Sequence, residues 1–501
     1  MDPAIEVRLA RNQLSAGTVA SRSPGARAYR YDRTKLVPGI VHLGLGAFAR
    51  AHLCDYTDDI LDREFGPWGV TGISLRRPDQ REKLAPQDGL YTALCRAPAG
   101  DTARIIGCVK DVLVAAECPQ TAVARMAASA TRIVSLTITE KGYCHDLVTG
   151  RLQDTNADIR HDLENPNLPR SAIGAIVAAL ARRRADNLAP FTVLCCDNLP
   201  HNGALLSGLV RDFAALRSDG LAAWIERHGA FPGTMVDRIV PASTDADIAA
   251  AERLTGLRDA APVAHEPFRQ WVIEDRFVDD DRPAWHKVGA EVVTDVTPFE
   301  TMKLRVLNGS HSALAYLGYL GGHETIGDCA ADPAYRAFVE ALWRQEIVPV
   351  TPAPPATDLN AYANSLLGRY ENPGIRHRTW QIAMDGSQKL PQRILATIRL
   401  RLERGLPVER LALVVAAWMV YVGGVDEKGK PIDVRDPLAD AFCAALAPAG
   451  KDAAARVAAL LGIEAVFGCD LPANDLFRRA VEGAYARLSA VGARRAVASL
   501  G

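Results

Sequence analysis

Lys303, Asn308 and His311, in the run Met302-Lys303-Leu304-Arg305-Val306-Leu307-Asn308-Gly309-Ser310-His311, are the side chains whose types and spacing point most directly to chemistry. On an α-helix turning about 100° per residue, Asn308 lies about 140° from Lys303, with His311 between them at about 80°. The three can share one broad face while Met302, Leu304 and Leu307 pack on the remainder. A lysine held against apolar surface loses solvation, which lowers its pKa toward neutrality and makes it a usable acid or base. Asn308 can donate to an oxygen that gains negative charge during hydride transfer, and His311 can orient a substrate hydroxyl. The same spacing also suits an amphipathic helix whose lysine is solvated and whose Asn and His satisfy core hydrogen bonds.

A second polar cluster, Cys196-Asp197-Asn198-Leu199-Pro200-His201-Asn202, follows the apolar run Phe191–Cys196. Polar groups at the carboxyl end of a parallel strand are where open α/β sheets bind ligands. Asn198 is a second candidate donor to a developing oxyanion, whereas Asp197 and His201 read equally well as turn and cap residues.

These groups need a partner that supplies a hydride, and one stretch is suited to holding it. His42-Leu43-Gly44-Leu45-Gly46-Ala47-Phe48-Ala49 fits GxGxxA after a strand and at the opening of a helix. Gly44 permits the tight turn, Gly46 lets backbone N–H groups from Leu45 to Phe48 approach a pyrophosphate, and Ala49 is small enough for helix-on-sheet packing. The next strand, Trp68–Leu75, ends in Arg76-Arg77-Pro78-Asp79. An acid there accepts hydrogen bonds from ribose hydroxyls and repels a 2′-phosphate, while arginines can welcome one. Asp79 thus favours NAD, and Arg76 and Arg77 leave NADP as the less favoured alternative.

The elements around these groups follow from pattern. Apolar runs at Trp68–Leu75, Arg104–Val109, Thr131–Thr139 and Pro190–Cys196 alternate with helical patterns such as Ala47–Asp62, Ser171–Asp186 and His201–Ser218, which predicts a mostly parallel, doubly wound sheet. After about residue 290 the patterns are helical: Thr301–Leu320, Pro333–Glu346, Leu359–Tyr370, Leu390–Glu403, Val408–Gly423, Pro437–Leu446 and Asp475–Leu488. The prediction is an α/β chain with a Rossmann-type domain over 1–290 and a mainly α-helical domain over 291–501.

Lys plus Arg number 58 and Asp plus Glu 59 in 501 residues, so no basic footprint marks nucleic acid or anionic lipid as a partner. No metal-ligand spacing joins the 11 histidines and 10 cysteines, and no CxxC pair occurs, which predicts reduced thiols, no metal and a cytoplasmic setting. Residues 1–17 lack a continuous apolar run of the secretory kind, and no stretch is long and apolar enough to span a bilayer.

HLGLGAFARAH (42–52), VSLTITEKGYC (134–144), FTVLCCDNLPHNG (191–203), MVDRIVP (235–241), EPFRQWVIEDRF (266–277) and MKLRVLNGSH (302–311) together resemble the polyol-specific long-chain dehydrogenases, the mannitol dehydrogenase family. The likeness runs from about residue 37 to the C-terminus. It implies a zinc-independent NAD-dependent oxidoreductase acting on a small sugar acid or polyol, with its active site between a Rossmann-type and a helical domain; the oligomeric state stays open. By the same resemblance Lys303 is the general acid/base, Asn198 and Asn308 the oxyanion pair, His311 a substrate-positioning residue, Glu300 a group linked to proton exchange with solvent, and Asp79 the residue favouring NAD. The family turn usually reads GAFHRAH or GGFHRAH, so Ala49 stands where a histidine is usual.

Within the family, residues 357–393 (TDLNAYANSLLGRYENPGIRHRTWQIAMDGSQKLPQR), HDLENP (161–166) and LGYLGGHETI (317–326) look closest to fructuronate reductases (D-mannonate oxidoreductases), whereas CDNLPHNG and ALVVAAW (412–418) read like mannitol 2-dehydrogenases. The mannitol enzymes carry an arginine eight residues before the lysine that matches Lys389; here that position is Gln381. A uronate carboxylate calls for cations, and Lys389, Arg376 and Arg378 are the candidates. Mannitol 2-dehydrogenase and tagaturonate reductase are the alternatives within the family, and a catalytically silent NAD-binding protein is the alternative outside it.

Overall fold

The computed structural model describes residues 12–146 and 149–501. The expectation about residues 1–17 therefore falls largely outside the described residues. The chain divides into two compact units, residues 1–297 and 298–501.

The first unit is built on a five-stranded parallel sheet: β1 (Ile40–Leu43), β2 (Val70–Ser74), β3 (Val109–Val114), β4 (Ile133–Leu136) and β5 (Thr192–Cys195), in the order β3-β2-β1-β4-β5. That is the Rossmann order. Residues of β1, β2, β4 and β5 are buried throughout, which is why they show no strict apolar–polar alternation. Their side chains feed two cores in alternation. Val41, Leu43 and Ile73 join the helices Pro119–Ala127, Ala172–Ala185 and Asn202–Arg217 on one face. Ile40 and Val70 join Tyr56, Ile60, Trp271 and Trp285 on the other.

Two smaller sheets complete this unit. One pairs Arg27–Ala28, Thr102–Ile106, Tyr91–Cys95 and Val263–His265; the other pairs Glu291–Val293, Gln270–Glu274 and Thr234–Asp237. The single strand expected over Arg104–Val109 is in fact divided. Thr102–Ile106 pairs antiparallel in a side sheet, and Val109–Val114 forms the edge of the main one. The helix expected over Ala47–Asp62 is likewise two, α1 (Ala47–Ala51) and α2 (Leu53–Arg63), broken at His52 (φ −127°, ψ −82°). His52 is fully buried, stacked on Phe48 at 5.1 Å and set edge-on to Trp271, with Nε2 within 2.9 Å of the Gln270 carbonyl. Tertiary packing overrides the local helical pattern there.

The second unit is helical, as predicted. Its centre is the helix Glu409–Val422, whose residues Leu411–Met419 are all buried, packed on Asp475–Ala498 and on Gly309–Leu320. No helix of the described residues is long and apolar enough to cross a membrane. All ten cysteines are free thiols.

Candidate active site

The helix carrying Lys303 departs from the α-helix assumed above. It runs as α3 (Thr297–Met302), a π-helical turn over Lys303–Asn308, and α4 (Gly309–Leu320). A π turn bonds residue i to i+5, so Lys303 and Asn308 stand one above the other, where an α-helix would leave them about 140° apart. Glu300 lies three residues before Lys303 and His311 three after Asn308, each one α-turn along. All four are buried, at 5–7% exposure.

The wider turn is held from outside. Trp343 Nε1 donates to the Val306 carbonyl at 2.9 Å, Ser310 Oγ to the same oxygen at 2.6 Å, and Tyr370 Oη to the Leu307 carbonyl at 3.1 Å. These bonds tie carbonyls of the turn to the segments that carry Trp343 and Tyr370. None of them was singled out from sequence, because a π turn has no hydrophobic periodicity of its own.

His311 stacks on Tyr370 (ring centroids 5.2 Å) and meets the edge of His377 at 4.8 Å, and its buried Nε2 has no protein partner. Burial, then the neighbouring His377, Arg393, Arg369 and Lys389, push its pKa well below the ordinary imidazole value. It is a neutral ring with an orphaned nitrogen, suited to a substrate hydroxyl. Lys389 donates to the carbonyls of Ile382 (3.3 Å) and Met384 (2.6 Å), ending the helix Thr379–Ala383. Arg376 and Arg378 do not join the His311 group. Their side chains are 74% and 64% exposed and lie 3.6 and 3.7 Å from the Glu324 carboxylate. In this extended segment alternate residues point to opposite sides, and it is His377 that turns inward.

In the first unit a cleft of about 890 Å³ lies over the carboxyl ends of β1, β2 and β4, lined by Gly44, Gly46, Arg76, Asp79, Thr137 and Asp158 among others. Gly44 has φ +85°, and a Cβ there would lie 2.2 Å from the Thr137 carbonyl oxygen. Gly46 has an ordinary φ, and a Cβ there would meet nothing closer than the Gly44 carbonyl oxygen at 3.8 Å. That open approach to the backbone fits a pyrophosphate at Gly44–Phe48. Leu45 turns its side chain into the core beside Gly72, so only its backbone faces outward. Ala47 and Phe48 pack partly against the same core.

Asp79 begins a short helix, exposed, with Gln80 Nε2 donating to it at 3.1 Å. Arg76 is ion-paired with Asp158 at 2.5 Å on the wall of the cleft. Asp158 was not foreseen, since it comes from a helix (Ala157–Glu164) far along the chain. Asn198 is exposed just beyond β5. Its neighbour Asp197 is the more structured residue: it accepts from Ile138 N (2.8 Å), Thr139 N (3.3 Å) and Tyr143 Oη (2.7 Å). Burial pushes its carboxyl up to about 6, opposed by those donors. They pin Thr139 at φ +64°, ψ 162°, a conformation essentially reserved for glycine that stores about 1–3 kcal/mol of strain. Asp197 is thus the turn residue that the sequence allowed. His201 takes a left-handed N-cap position and makes no side-chain cap.

Residues 38–287 match the Mannitol dehydrogenase Rossmann domain and 295–489 the Mannitol dehydrogenase C-terminal domain. The chain belongs to the mannitol dehydrogenase family. Among its relatives, the D-mannonate oxidoreductase of Escherichia coli K12 is 50% identical over 96% of this chain and 99% of its own. An uncharacterized oxidoreductase of the same organism, YdfI, is also 50% identical, over 93% of this chain and 96% of its own. The structure of Pseudomonas fluorescens mannitol 2-dehydrogenase in ternary complex with NAD and D-mannitol superposes with a TM-score of 0.91 at 39% identity, covering 97% of this chain and 99% of that one.

Membership of the mannitol dehydrogenase family accounts for the fold, a Rossmann-type unit followed by a helical one, and for an oxidoreductase activity. At the site usually held by a family histidine, Ala49 is 1% exposed and packs into the core, leaving the glycine turn intact. The family turn begins at His42, fully buried, with Nδ1 2.8 Å from Ser135 Oγ and Nε2 2.8 Å from Thr137 Oγ1. Burial lowers its pKa from 6.5 to about 4. In the unfolded chain the imidazole takes up its proton near pH 6.5, in the folded chain only near 4. The stability this neutral ring confers is therefore full above 6.5 and lost as pH falls through 4, about 3 kcal/mol when complete. Urea midpoints between pH 7 and 4 should fall more steeply for the parent than for His42→Asn; parallel curves would assign the acid sensitivity to other groups.

Proposed function

We propose that this enzyme interconverts D-fructuronate and D-mannonate: D-fructuronate + NADH + H⁺ ⇌ D-mannonate + NAD⁺. The observation that carries the substrate is the end-to-end 50% identity to a D-mannonate oxidoreductase, and the cationic surroundings of His311 favour a substrate bearing a carboxylate. NADH, held at the glycine turn, supplies the hydride. Lys303 in its ammonium form gives a proton to the oxygen of the reacting carbonyl, and in the reverse direction its neutral amine takes the hydroxyl proton. Reduction accordingly slows and oxidation quickens as pH rises. Asn308 and Asn198 donate to the growing alkoxide, His311 Nε2 holds a neighbouring hydroxyl, and Glu300 passes protons between Lys303 and solvent.

A second reading, D-mannitol with D-fructose, is favoured by the likeness to the Pseudomonas enzyme. Rates with NADH on fructuronate, tagaturonate and fructose separate the readings: highest kcat/KM on fructuronate is expected, and a preference for fructose overturns the uronate assignment.

Asp79 is proposed to choose NAD. The parent should prefer NADH to NADPH, and Asp79→Ala should narrow that preference by at least about tenfold, the worth of one charge-assisted hydrogen bond. An NADPH preference in the parent would mean that Arg76 and Arg77 dominate.

A further inference from the structure

Building on the uronate reading above, we infer that Arg393 is the receptor for the substrate carboxylate and thereby sets the preference for a uronate over a neutral ketose. Arg393 lies in a second π turn, Pro391–Leu395, which packs directly on the catalytic helix. A Cβ on Gly309 would meet the Arg393 carbonyl oxygen at 2.9 Å and Ile394 Cδ1 at 3.8 Å, so glycine is what lets the two turns approach. From there the guanidinium reaches Ser312, Nη1 to Oγ 3.3 Å. Ser312 stands one α-turn beyond Asn308 and next to His311.

The spacing suits the chemistry. One helical turn advances about 5.4 Å. In fructuronate the carboxylate carbon is four carbon–carbon bonds from the ketone carbon, about 5 Å when extended at about 1.5 Å per bond. A ketone oxygen at Lys303 and Asn308 therefore puts the carboxylate one turn along the helix, at the level of Arg393. The planar guanidinium offers paired donors that match a carboxylate. Lys389, in contrast, directs its ammonium to the Ile382 and Met384 carbonyls. Arg369 and Lys389 add positive charge around the same ring, His311. The competing role for Arg393 is to tie its turn to Ser312 and nothing more.

The test compares kcat/KM with NADH for fructuronate and fructose in the parent, Arg393→Leu and Arg393→Lys, with NADH affinity as the check on folding. Loss of a charge-assisted hydrogen bond should reduce the fructuronate-to-fructose ratio about 10–150-fold in Arg393→Leu. Arg393→Lys, which keeps the charge and loses the fork, should fall between it and the parent, and carries the test alone if the leucine variant does not fold. Binding of D-mannonate to the NAD-loaded enzyme should weaken in the same order. If the parent prefers fructuronate but both substrates lose equally, Arg393 is a structural tie and the uronate reading stands. A parent that prefers fructose removes the uronate reading and this inference with it.

Discussion

Lys303→Ala will lose about 10²–10⁴-fold in turnover while NADH binding persists, the range expected when a positioned acid/base is removed. The separation follows from where the groups lie: Lys303 belongs to the second unit, and the glycine turn and Asp79 to the first. Single-turnover reduction of fructuronate read at 340 nm, beside NADH titration by fluorescence, gives both quantities. The NADH titration also reports whether the variant is folded. A variant within about threefold of the parent, far short of the expected loss, would show that the proton comes from elsewhere.

The two glycines of the cofactor turn should respond in opposite ways. Gly44→Ala places a methyl 2.2 Å from a backbone oxygen at φ +85°, and a non-glycine residue held in the left-handed region alone costs about 1–3 kcal/mol. It should lower the melting temperature and damage every activity. Gly46→Ala meets nothing closer than 3.8 Å and keeps an ordinary φ, so the unliganded protein should melt like the parent. Its methyl occupies the approach to the pyrophosphate, and NADH affinity should drop at least about tenfold, about 1.4 kcal/mol. If Gly46→Ala binds NADH at parent strength, the pyrophosphate does not sit at this turn.

Much of this was legible before any coordinates. Strands buried on both faces, such as Ile40–Leu43 and Thr192–Cys195, announce themselves as apolar runs, and the glycine turn that follows the first is set by backbone geometry. Side strands of three to five residues, such as Val263–His265, carry too little pattern to be told from loop. The roles of Arg376, His377 and Arg378 were unreadable because three adjacent polar residues in an extended segment give no sign of which one faces inward. Arg393 falls within the helical pattern Leu390–Glu403, whose spacing does not single it out, and only the packing of its turn on Gly309 sets it beside the catalytic face. Asp158 meets Arg76 across 82 residues of chain, a pairing that local spacing cannot reveal.

The π turn over Lys303–Asn308 amounts to one extra residue wound into an otherwise α-helical rod. The extra residue is absorbed inside the turn, so the flanking helical segments keep the facing they would have without it. Excision of a single residue such as Leu304 would let the rod close into a continuous α-helix, losing none of its backbone bonding. Lys303 and Asn308 would then be four residues apart, about 40° around an α-helix, so Glu300, Lys303, Asn308 and His311 would still share one face. A lineage that dropped that one codon would keep its catalytic side chains in line and lose only the widened turn to which Trp343 and Tyr370 bond.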